Sequence, residues 1–173
     1  MGLWDELECE MPRPSTLHRA VRAAASHRPV SRVLRYVQTP LDRALAAISG
    51  GRTSATQQLS GLPTITLVTV GARSGRRRHT PLIAFPVDGD IAVIGTNYGT
   101  DRTPGWVYNL RANPEVEVEH AGRTVAATAR RLGREAADAV WAMGAQSYAG
   151  YANYRQWAAG RDITVWLLSP RDA

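Results

Sequence analysis

The part of the chain richest in anion-binding groups is residues 71–78, GARSGRRR, which carry four guanidinium groups within six residues. Positive charges this close together repel one another, and a bound anion removes the repulsion. The glycines let backbone N–H groups approach an oxyanion, and Ser74 adds a hydroxyl donor. The spacing and the lysine of a Walker loop are absent. The stretch therefore predicts a phosphate or carboxylate site, and a solvated arginine-rich turn is the alternative.

A second group of interest is the series Tyr148, Tyr151 and Tyr154, which Trp157 continues at the same spacing of three. On a regular helix this spacing spirals by about 60° per step, so the rings do not form one apolar stripe. Tyrosine combines an apolar ring with a hydroxyl donor, which suits a flat acceptor that carries an oxygen. Ordinary packing against a sheet is the alternative.

A third stretch, residues 95–99, has the sequence GTNYG at the end of a predicted strand. Glycines beside small polar residues allow a flat ligand to lie against the backbone. Trp106 and Asn109 follow, one helical turn apart and on one face of a short predicted helix. A tryptophan on a short helix is also a common core residue, so this signal is weak by itself.

Nucleophilic and metal-dependent catalysis find no support in the sequence. The four histidines are scattered, without an HExxH motif, and no GxSxG elbow is present. The single cysteine, Cys9, rules out an intramolecular disulfide and a Cys-based zinc site. Glu115, Glu117 and Glu119 alternate along a predicted strand, which is typical of a solvent face. We therefore expect no metal site, and an enzyme of this kind needs a cofactor to carry its chemistry.

The size and composition indicate one compact domain with an appended segment. The chain has 173 residues, 44% of them apolar and 21% charged, which excludes a disordered or coiled-coil protein. No run approaches the roughly 20 apolar residues of a membrane span. The first twelve residues carry four acids and no base, unlike a signal peptide, so we expect a cytoplasmic protein.

The positive charge is concentrated near the N-terminus, where residues 13–52 carry eight arginines and one acid. Apolar positions at spacings of three and four predict helices from Pro14 to Gly51, separated at Pro29 and restarting near Pro40. A basic amphipathic helix either docks on the rest of the protein or attaches to an anionic membrane surface. Nucleic acid is a weaker candidate, because no aromatic residue is interleaved with the arginines of residues 71–78.

From Ser60 onward, hydrophobic periodicity predicts six strands joined by hairpins and interrupted by two helical regions. The predicted strands are Thr64 to Val70, Thr80 to Val87, Ile91 to Thr96, 115–119, Thr124 to Leu132 and Ile163 to Leu168. The predicted helical regions are 103–111 and 134–159, the second with a Gly-rich interruption. This order predicts a mainly β protein with α-helices (α+β), in which an antiparallel sheet closes into a small barrel with outer helices.

These stretches, in this order, resemble the deazaflavin-dependent nitroreductases of actinobacteria, whose split β-barrel of the FMN-binding type binds coenzyme F420. The resemblance runs from about Ser49 to Leu168. It rests on residues 62–63 (LP), 71–75 with Arg78, 81–82 (PL), 95–97, 104–114 (PGWVYNLRANP) and the tyrosine series. Ala72 departs from the arginine usual in the family, and Tyr98 from a frequent second glycine.

The resemblance implies a role for each matching position. Arg73, Ser74 and Arg78 would hold the coenzyme's phosphate or its lactyl and glutamate carboxylates. The positions implied to contact the coenzyme are Ala72, Arg73, Ser74, Arg78, Thr80, Pro81, Leu82, Ile83, Ile94, Gly95, Thr96, Asn97, Trp106, Asn109 and Tyr151. The positions implied to line the acceptor side and to act in catalysis are Thr96, Tyr148, Tyr151 and Tyr154, with Tyr151 nearest to both molecules.

The resemblance implies an F420H2-dependent oxidoreductase that passes a hydride to a quinone or nitroaromatic acceptor. An FMN-dependent oxidoreductase on the same barrel and a non-catalytic deazaflavin carrier are the alternatives. We expect an N-terminal helical segment, residues 1–52, and a split β-barrel domain, residues 53–173. We expect a cytoplasmic protein, at the inner face of the cell membrane if the basic segment binds lipid. A homodimer is left open.

Overall fold

The computed structural model describes residues 1–11, 14–30, 33, 58, 60–158 and 160–171. Its strands are β1 (Thr64–Val70), β2 (Arg77–Ile83), β3 (Phe85–Val87), β4 (Asp90–Ile94), β5 (Glu115–His120), β6 (Arg123–Arg131) and β7 (Val165–Pro170). Its bounded helices are α1 (Leu3–Glu6), α2 (Thr16–Ala25), α3 (Gly105–Ala112), α4 (Arg134–Ser147) and α5 (Gly150–Trp157).

The strands form one antiparallel sheet in the order β2-β1-β5-β6-β7-β4-β3. Strands β2 and β3 lie at opposite edges of the sheet, yet only Ala84 separates them along the chain. A single residue cannot span an open sheet, so the sheet must curl until its two edges approach each other. The result is a curled antiparallel half-barrel with helices packed on it. The predicted α+β fold with a split-barrel sheet is confirmed.

The prediction of a single strand from Thr80 to Val87 is wrong, because Ala84 divides it. Ala84 is fully buried and its N–H donates to the carbonyl of Pro63, so the chain leaves one edge of the sheet there and enters the other. The described residues therefore contain seven strands rather than six. Strand β2 also begins earlier than predicted, at Arg77, which places Arg77 and Arg78 on the sheet rather than in the preceding loop.

The remaining elements follow the predictions closely. Strand β1 has the predicted bounds, and the Asp88–Gly89 turn joins β3 to β4 with both residues at positive φ. Strand β4 ends two residues before the predicted Thr96, where the Thr96 N–H turns back to donate to the carbonyl of Ile94. The predicted Gly-rich interruption of the C-terminal helical region is the break between α4 and α5.

Side chains on the sheet alternate between two hydrophobic cores, one on each face, which we name the inner core and the outer core. On β4, Ile91 and Val93 pack in the inner core, whereas Ala92 and Ile94 pack in the outer core beneath α4 and α5. This period of two is the expected consequence of a strand buried on both faces. The outer core carries the tyrosine series, so the sheet and the two C-terminal helices together position those rings.

The first residues of the chain belong to the inner core, which the sequence did not indicate. Leu3 and Leu7 are fully buried there, and the Trp4 N–H donates to the carbonyl of Gly89. Gly2 lies so close to Gly89 that a Cβ atom on Gly2 would be 2.2 Å from that carbonyl oxygen. The predicted boundary at residues 52 and 53 lies outside the described residues and stays a prediction.

Helix α2 confirms the predicted start of the N-terminal helical segment. Ser15 caps it by accepting a hydrogen bond from the His18 N–H, and Arg22 docks it by donating to the carbonyls of Ser60, Gly61 and Ser147. The helix ends at Ala25, and residues 28–30 are again helical, so the predicted break lies just before Pro29. The predicted restart near Pro40 lies outside the described residues. Within the described ranges, every helix is too short or too polar to cross a membrane.

Candidate functional site

The arginine loop, residues 71–76, is a tight turn closed by its own backbone. The Gly71 N–H donates to the Arg76 carbonyl at 2.9 Å, and the N–H groups of Ser74 and Gly75 both donate to the Gly71 carbonyl. A Cβ atom on Gly71 would lie 2.5 Å from the Ser74 Oγ, so a larger residue there would displace the Ser74 hydroxyl. These backbone hydrogen bonds fix the conformation of the loop and so preorganise its donors.

The guanidinium groups of this loop and of the start of β2 divide into two kinds. Arg77 forms a bidentate ion pair with Glu117, with a closest N–O distance of 2.5 Å. Arg73, Arg76 and Arg78 are exposed, and none has a carboxylate within 4.0 Å among the described residues. Arg78 instead reaches the Ser74 hydroxyl at 3.4 Å. The cluster therefore holds three cations whose charge an external anion would balance.

Asn109 attaches the arginine loop to helix α3. Its Oδ1 accepts a hydrogen bond from the Ala72 N–H at 3.0 Å, and its Nδ2 donates to the Thr69 hydroxyl at 2.9 Å. The family resemblance implied that Asn109 and Trp106 contact the coenzyme. In the structure, Asn109 holds the loop beside the helix, and Trp106 is 6% exposed within the inner core. Asn109 thus fixes where the loop presents its cations.

The turn after β4 has an unusual backbone. Asn97, Tyr98 and Gly99 have φ values of 45°, 57° and 69°, so three consecutive residues adopt the left-handed region. Only glycine does so without cost, and non-glycine residues held there often occur at functional sites. The Asn97 side chain stabilises the turn by donating to the Thr100 hydroxyl and to the Arg102 carbonyl, both at 2.8 Å.

The side chain of Arg161, a residue distant in sequence, binds the same turn. Its guanidinium group donates to the carbonyls of Gly95, Thr96 and Thr100 at 2.9, 2.7 and 3.1 Å. Burial lowers the pKa of Arg161, and the nearby Asp101 carboxylate opposes that shift. The sequence did not indicate Arg161, since no motif separates it from the other arginines of the chain.

The three tyrosines predicted on the acceptor side form one buried cluster. Tyr148, Tyr151 and Tyr154 are 5–7% exposed, and their ring centroids lie 5.9–6.0 Å apart in edge-to-face arrangements. The hydroxyls of Tyr148 and Tyr154 hydrogen-bond each other at 3.0 Å. The Tyr151 hydroxyl has no such partner in the described part of the chain. Burial raises the pKa of Tyr148 and of Tyr151, so both hydroxyls keep their protons at neutral pH.

The break between α4 and α5 creates this tyrosine cluster. Tyr148 lies in the break, and its ring covers Gly150 so closely that a Cβ atom there would be 2.2 Å from the Tyr148 Cζ. Phe85 and Trp141 pack edge-on against Tyr151, with centroids 5.4 and 6.0 Å away. Because of the break, the three tyrosines converge instead of spiralling around a single helix.

Helix α3 and the left-handed turn connect the arginine loop to the tyrosine cluster. A Cβ atom on Gly95 would lie 3.2 Å from the Val107 side chain, two residues before Asn109 on α3. At the other end of the turn, a Cβ atom on Gly99 would lie 3.0 Å from the Tyr154 Cα. A chain of contacts through α3 and the turn thus links the arginine loop to the tyrosine cluster.

The other predicted coenzyme contacts lie on two strands of the sheet. Thr80, Pro81, Leu82 and Ile83 are half-buried on the edge strand β2, and Ile94 is 6% exposed in the outer core. Their assignment to the coenzyme stays a prediction, since these positions show burial but no polar contact that identifies a ligand.

Comparison with known proteins identifies the family. Residues 43–170 match the family described as F420H(2)-dependent quinone reductase, which is most of the chain. The chain belongs to this family. It is 34% identical over 113 residues to an F420H(2)-dependent quinone reductase of Mycobacterium tuberculosis (strain ATCC 25618 / H37Rv), covering 63% of this chain and 74% of that protein.

Two solved structures are similar to this reductase. One is an F420-H2-dependent reductase, FDR-A, with 30% identity and a TM-score of 0.55 over 61% of this chain and 92% of that one. The other, described as a domain-swapped dimer, has 27% identity and a TM-score of 0.58 over 77% of this chain and 96% of that one.

Family membership confirms the predicted oxidoreductase, with coenzyme F420 as its cofactor. The residues present fit such a molecule. Exposed guanidinium groups on a preformed loop suit its phosphate and carboxylates, and buried aromatic surface suits a flat ring. The residue-by-residue roles remain predictions.

Proposed function

We propose that this reductase transfers a hydride from reduced coenzyme F420 to a quinone, with the coenzyme's anionic groups at the arginine loop and the quinone at the tyrosine cluster. The observation that carries the proposal is the pairing of two features in one region. Three exposed cations lack carboxylate partners among the described residues, and a buried cluster contains one tyrosine hydroxyl without a hydrogen-bond partner there.

At the coenzyme end, the protein's task is to bind and orient. Arg73, Arg78 and the Ser74 hydroxyl would hold the phosphate or the carboxylates, since a guanidinium group matches either anion in a bidentate geometry. Asn109 keeps the loop at a fixed place beside α3 through the Ala72 N–H. When bound, reduced F420 supplies the hydride.

At the acceptor end, the residues would exclude water and supply a proton. Reduction of a quinone to a hydroquinone consumes a hydride and a proton. The Tyr151 hydroxyl is placed to donate to a quinone oxygen because its proton is not engaged by Tyr148 or Tyr154. Burial raises its pKa, which keeps the hydroxyl protonated until negative charge develops on the acceptor. The mutual hydrogen bond of those two tyrosines would fix the rings around it.

The first test is a fluorescence titration of the purified protein with F420, with FMN in a parallel cell, followed by anaerobic oxidation of F420H2 with a soluble quinone. We expect F420 to bind at about micromolar concentration or below and FMN to bind much more weakly. Quinone should then oxidise bound F420H2. Equal affinity for FMN would favour an FMN enzyme, and binding without oxidation by quinones or nitroaromatics would indicate a carrier.

We also propose that the N-terminal segment contacts the inner face of the cell membrane, where quinones dissolve. Leu17, Val30 and Val33 are exposed on a segment with a strong excess of arginine, which is the pattern of a surface-bound amphipathic helix. Replacing all three by Glu should abolish sedimentation with anionic vesicles, whereas Val70→Glu, another exposed apolar site, should not. Undiminished sedimentation of the triple variant would contradict the proposal. Deletion of residues 1–50 is a poor test, since it also removes the buried Leu3 and Leu7.

A homodimer is our proposal for the assembly. Its support is the relative described as a domain-swapped dimer, which matches most of this chain. Light scattering on the purified protein should give about twice the monomer mass of 18.8 kDa, and a monomeric mass at micromolar concentration would contradict the proposal.

A further inference from the structure

We propose that Arg161 is a positioning residue, which holds the strained turn of residues 95–100 against the tyrosine cluster and thereby sets the shape of the acceptor side. The inference rests on the proposed function, since it assigns the acceptor to that cluster. No sequence motif marks the contact between Arg161 and this turn. One guanidinium group donates to three backbone carbonyls of a single turn, those of Gly95, Thr96 and Thr100.

The turn needs such support because its backbone is strained. Asn97 and Tyr98 carry side chains in the left-handed region, which costs free energy and persists only where surrounding contacts enforce it. Within the turn, the Gly99 and Thr100 N–H groups donate to the carbonyls of Thr96 and Asn97. The Asn97 side chain ties the middle of the turn to Thr100 and Arg102. Arg161 holds both ends of the turn, at Gly95 and Thr96 and at Thr100.

The position of Arg161 in the chain connects the turn to the tyrosines. Arg161 follows helix α5 by four residues, and its own N–H donates to the carbonyl of Ala158, the C-terminal cap of that helix. Its backbone is therefore fixed to the helix that carries Tyr151 and Tyr154, while its side chain is fixed to the turn. A single residue thus couples two elements that meet at the proposed acceptor site.

The turn also places the aromatic side chain of Tyr98 beside the tyrosine cluster. The Tyr98 ring lies edge-on to Tyr154 with centroids 6.4 Å apart, and Gly99 packs against the Tyr154 backbone and the Trp157 ring. If the turn relaxed to ordinary backbone angles, Tyr98 would leave this position. We infer that Arg161 acts on the acceptor through Tyr98 and Thr96 rather than by touching it.

Lysine cannot replace arginine in this role. The planar guanidinium group offers five N–H donors in a fixed fork and reaches three carbonyls at once, whereas an ammonium group is a single point charge. A lysine at position 161 would satisfy only part of the turn. The conservative variant should therefore give an intermediate result, which a nonspecific charge effect would not.

The test compares Arg161→Gln and Arg161→Lys with the matched control Arg131→Gln, whose arginine forms an exposed ion pair with Asp162. In Arg161→Gln, we expect hydrogen exchange at the Gly99 and Thr100 amides to accelerate about tenfold or more, since their turn loses its support. With F420H2 bound, kcat/KM for the quinone should fall about tenfold. The F420 dissociation constant should change less than about threefold, because the arginine loop is intact.

Three outcomes would overturn the inference. Unchanged exchange in Arg161→Gln would show that the turn does not depend on the guanidinium group. Faster exchange with an unchanged kcat/KM would show that the turn does not shape the acceptor side, and equal effects in Arg131→Gln would reduce the result to lost surface charge. If the wild-type protein neither bound F420 nor oxidised F420H2, the proposed function would fail, and with it the acceptor role, while the exchange data would still decide whether Arg161 holds the turn.

A double variant keeps the test valid if Arg161→Gln folds poorly. Tyr98→Gly removes the side chain that makes the left-handed backbone costly. In that background, substitution of Arg161 by Lys should accelerate exchange at Thr100 by a smaller factor than it does in the wild type. An equal factor in both backgrounds would contradict the link between strain and the arginine.

Discussion

The arginine loop and the tyrosine cluster are built in opposite ways. The loop is a continuous stretch whose hydrogen bonds are mostly its own, and its cations are exposed. The cluster is buried and assembled from distant parts of the chain, including Phe85, Tyr98 and the residues around the α4–α5 break. Because backbone hydrogen bonds hold the loop and side-chain packing holds the cluster, we expect coenzyme affinity and acceptor recognition to respond separately to substitution.

The two ends also differ in how the solvent affects them. Exposed charges are screened over a Debye length of about 8 Å at physiological ionic strength, whereas contacts between buried rings are not. We expect added salt to weaken coenzyme binding and to leave the quinone KM nearly unchanged. Substitutions confined to either the arginine loop or the tyrosine cluster test this difference.

The largest effect should come from Tyr151→Phe, which removes the proposed proton donor and keeps the ring. Loss of a general acid typically costs about 10² or more in rate. Single-turnover oxidation of F420H2 by quinone should slow by about that factor, while the F420 dissociation constant stays the same. Because burial raises the pKa of Tyr151, the wild-type rate should not fall between pH 6 and about 9 through loss of this proton.

Tyr108→Phe is the control for this experiment, since Tyr108 is half exposed on α3 and lies outside the cluster. It should leave the rate unchanged. Equal rates for Tyr151→Phe and the wild type would remove the proposed donor and would leave solvent as the proton source.

The second-largest effect is expected from a substitution that disturbs the packing of the tyrosine cluster. In Gly150→Ala, the new methyl group would meet the Tyr148 ring at 2.2 Å, so the ring must move and Tyr148 must lose its bond to Tyr154. Overpacking of this kind costs about 1–3 kcal/mol of unfolding free energy, measurable by urea denaturation. Gly105→Ala, where a Cβ meets no atom within 4 Å, should be neutral. Similar stability for both variants would show that the cluster tolerates displacement of Tyr148.

Arg78→Ala tests the charged end. Loss of one charge-assisted contact should weaken F420 binding by about 1–3 kcal/mol. The rate at saturating F420 should be unchanged, because the tyrosines are untouched. Arg77→Ala should weaken binding less, since Arg77 is already paired with Glu117. An unchanged dissociation constant in Arg78→Ala would contradict the assignment of the loop.

The smallest effect should come from Asn109, which acts through the loop rather than on the coenzyme. Asn109→Ala removes both hydrogen bonds and should weaken F420 binding by about 1 kcal/mol. Thr69→Val removes only the bond to the Thr69 hydroxyl and keeps the acceptor for the Ala72 N–H, so it should retain most of the affinity. If the two variants bound equally, the bond to Ala72 would not position the loop.

The elements that the sequence predicted well are those with local signals. The alternation of residues 64–70 defines β1, and the dense arginines of residues 73–78 mark the loop, because the cause of each structure lies within the segment itself. The break at Ala84 escaped prediction for the opposite reason. It marks where the chain passes between two sheet edges, and that position depends on the whole sheet.

The site residues show the same limit. The spacing of Tyr148, Tyr151 and Tyr154 pointed to an irregular helix, and the structure shows that they converge. The roles of Asn109 and Arg161 could not be deduced, because their bonding partners lie 37 and more residues away in the chain. A single polar residue carries no periodicity, so only the folded structure reveals what it holds.

The burial of Leu3 and Leu7 also bears on the order in which the protein folds. These residues pack with strands β4, β6 and β7, the last of which is completed only at Pro170. Closure over so large a sequence separation is slow compared with local folding. We therefore expect Leu3, Leu7 and Trp4 to reach their buried places only after β7 has formed.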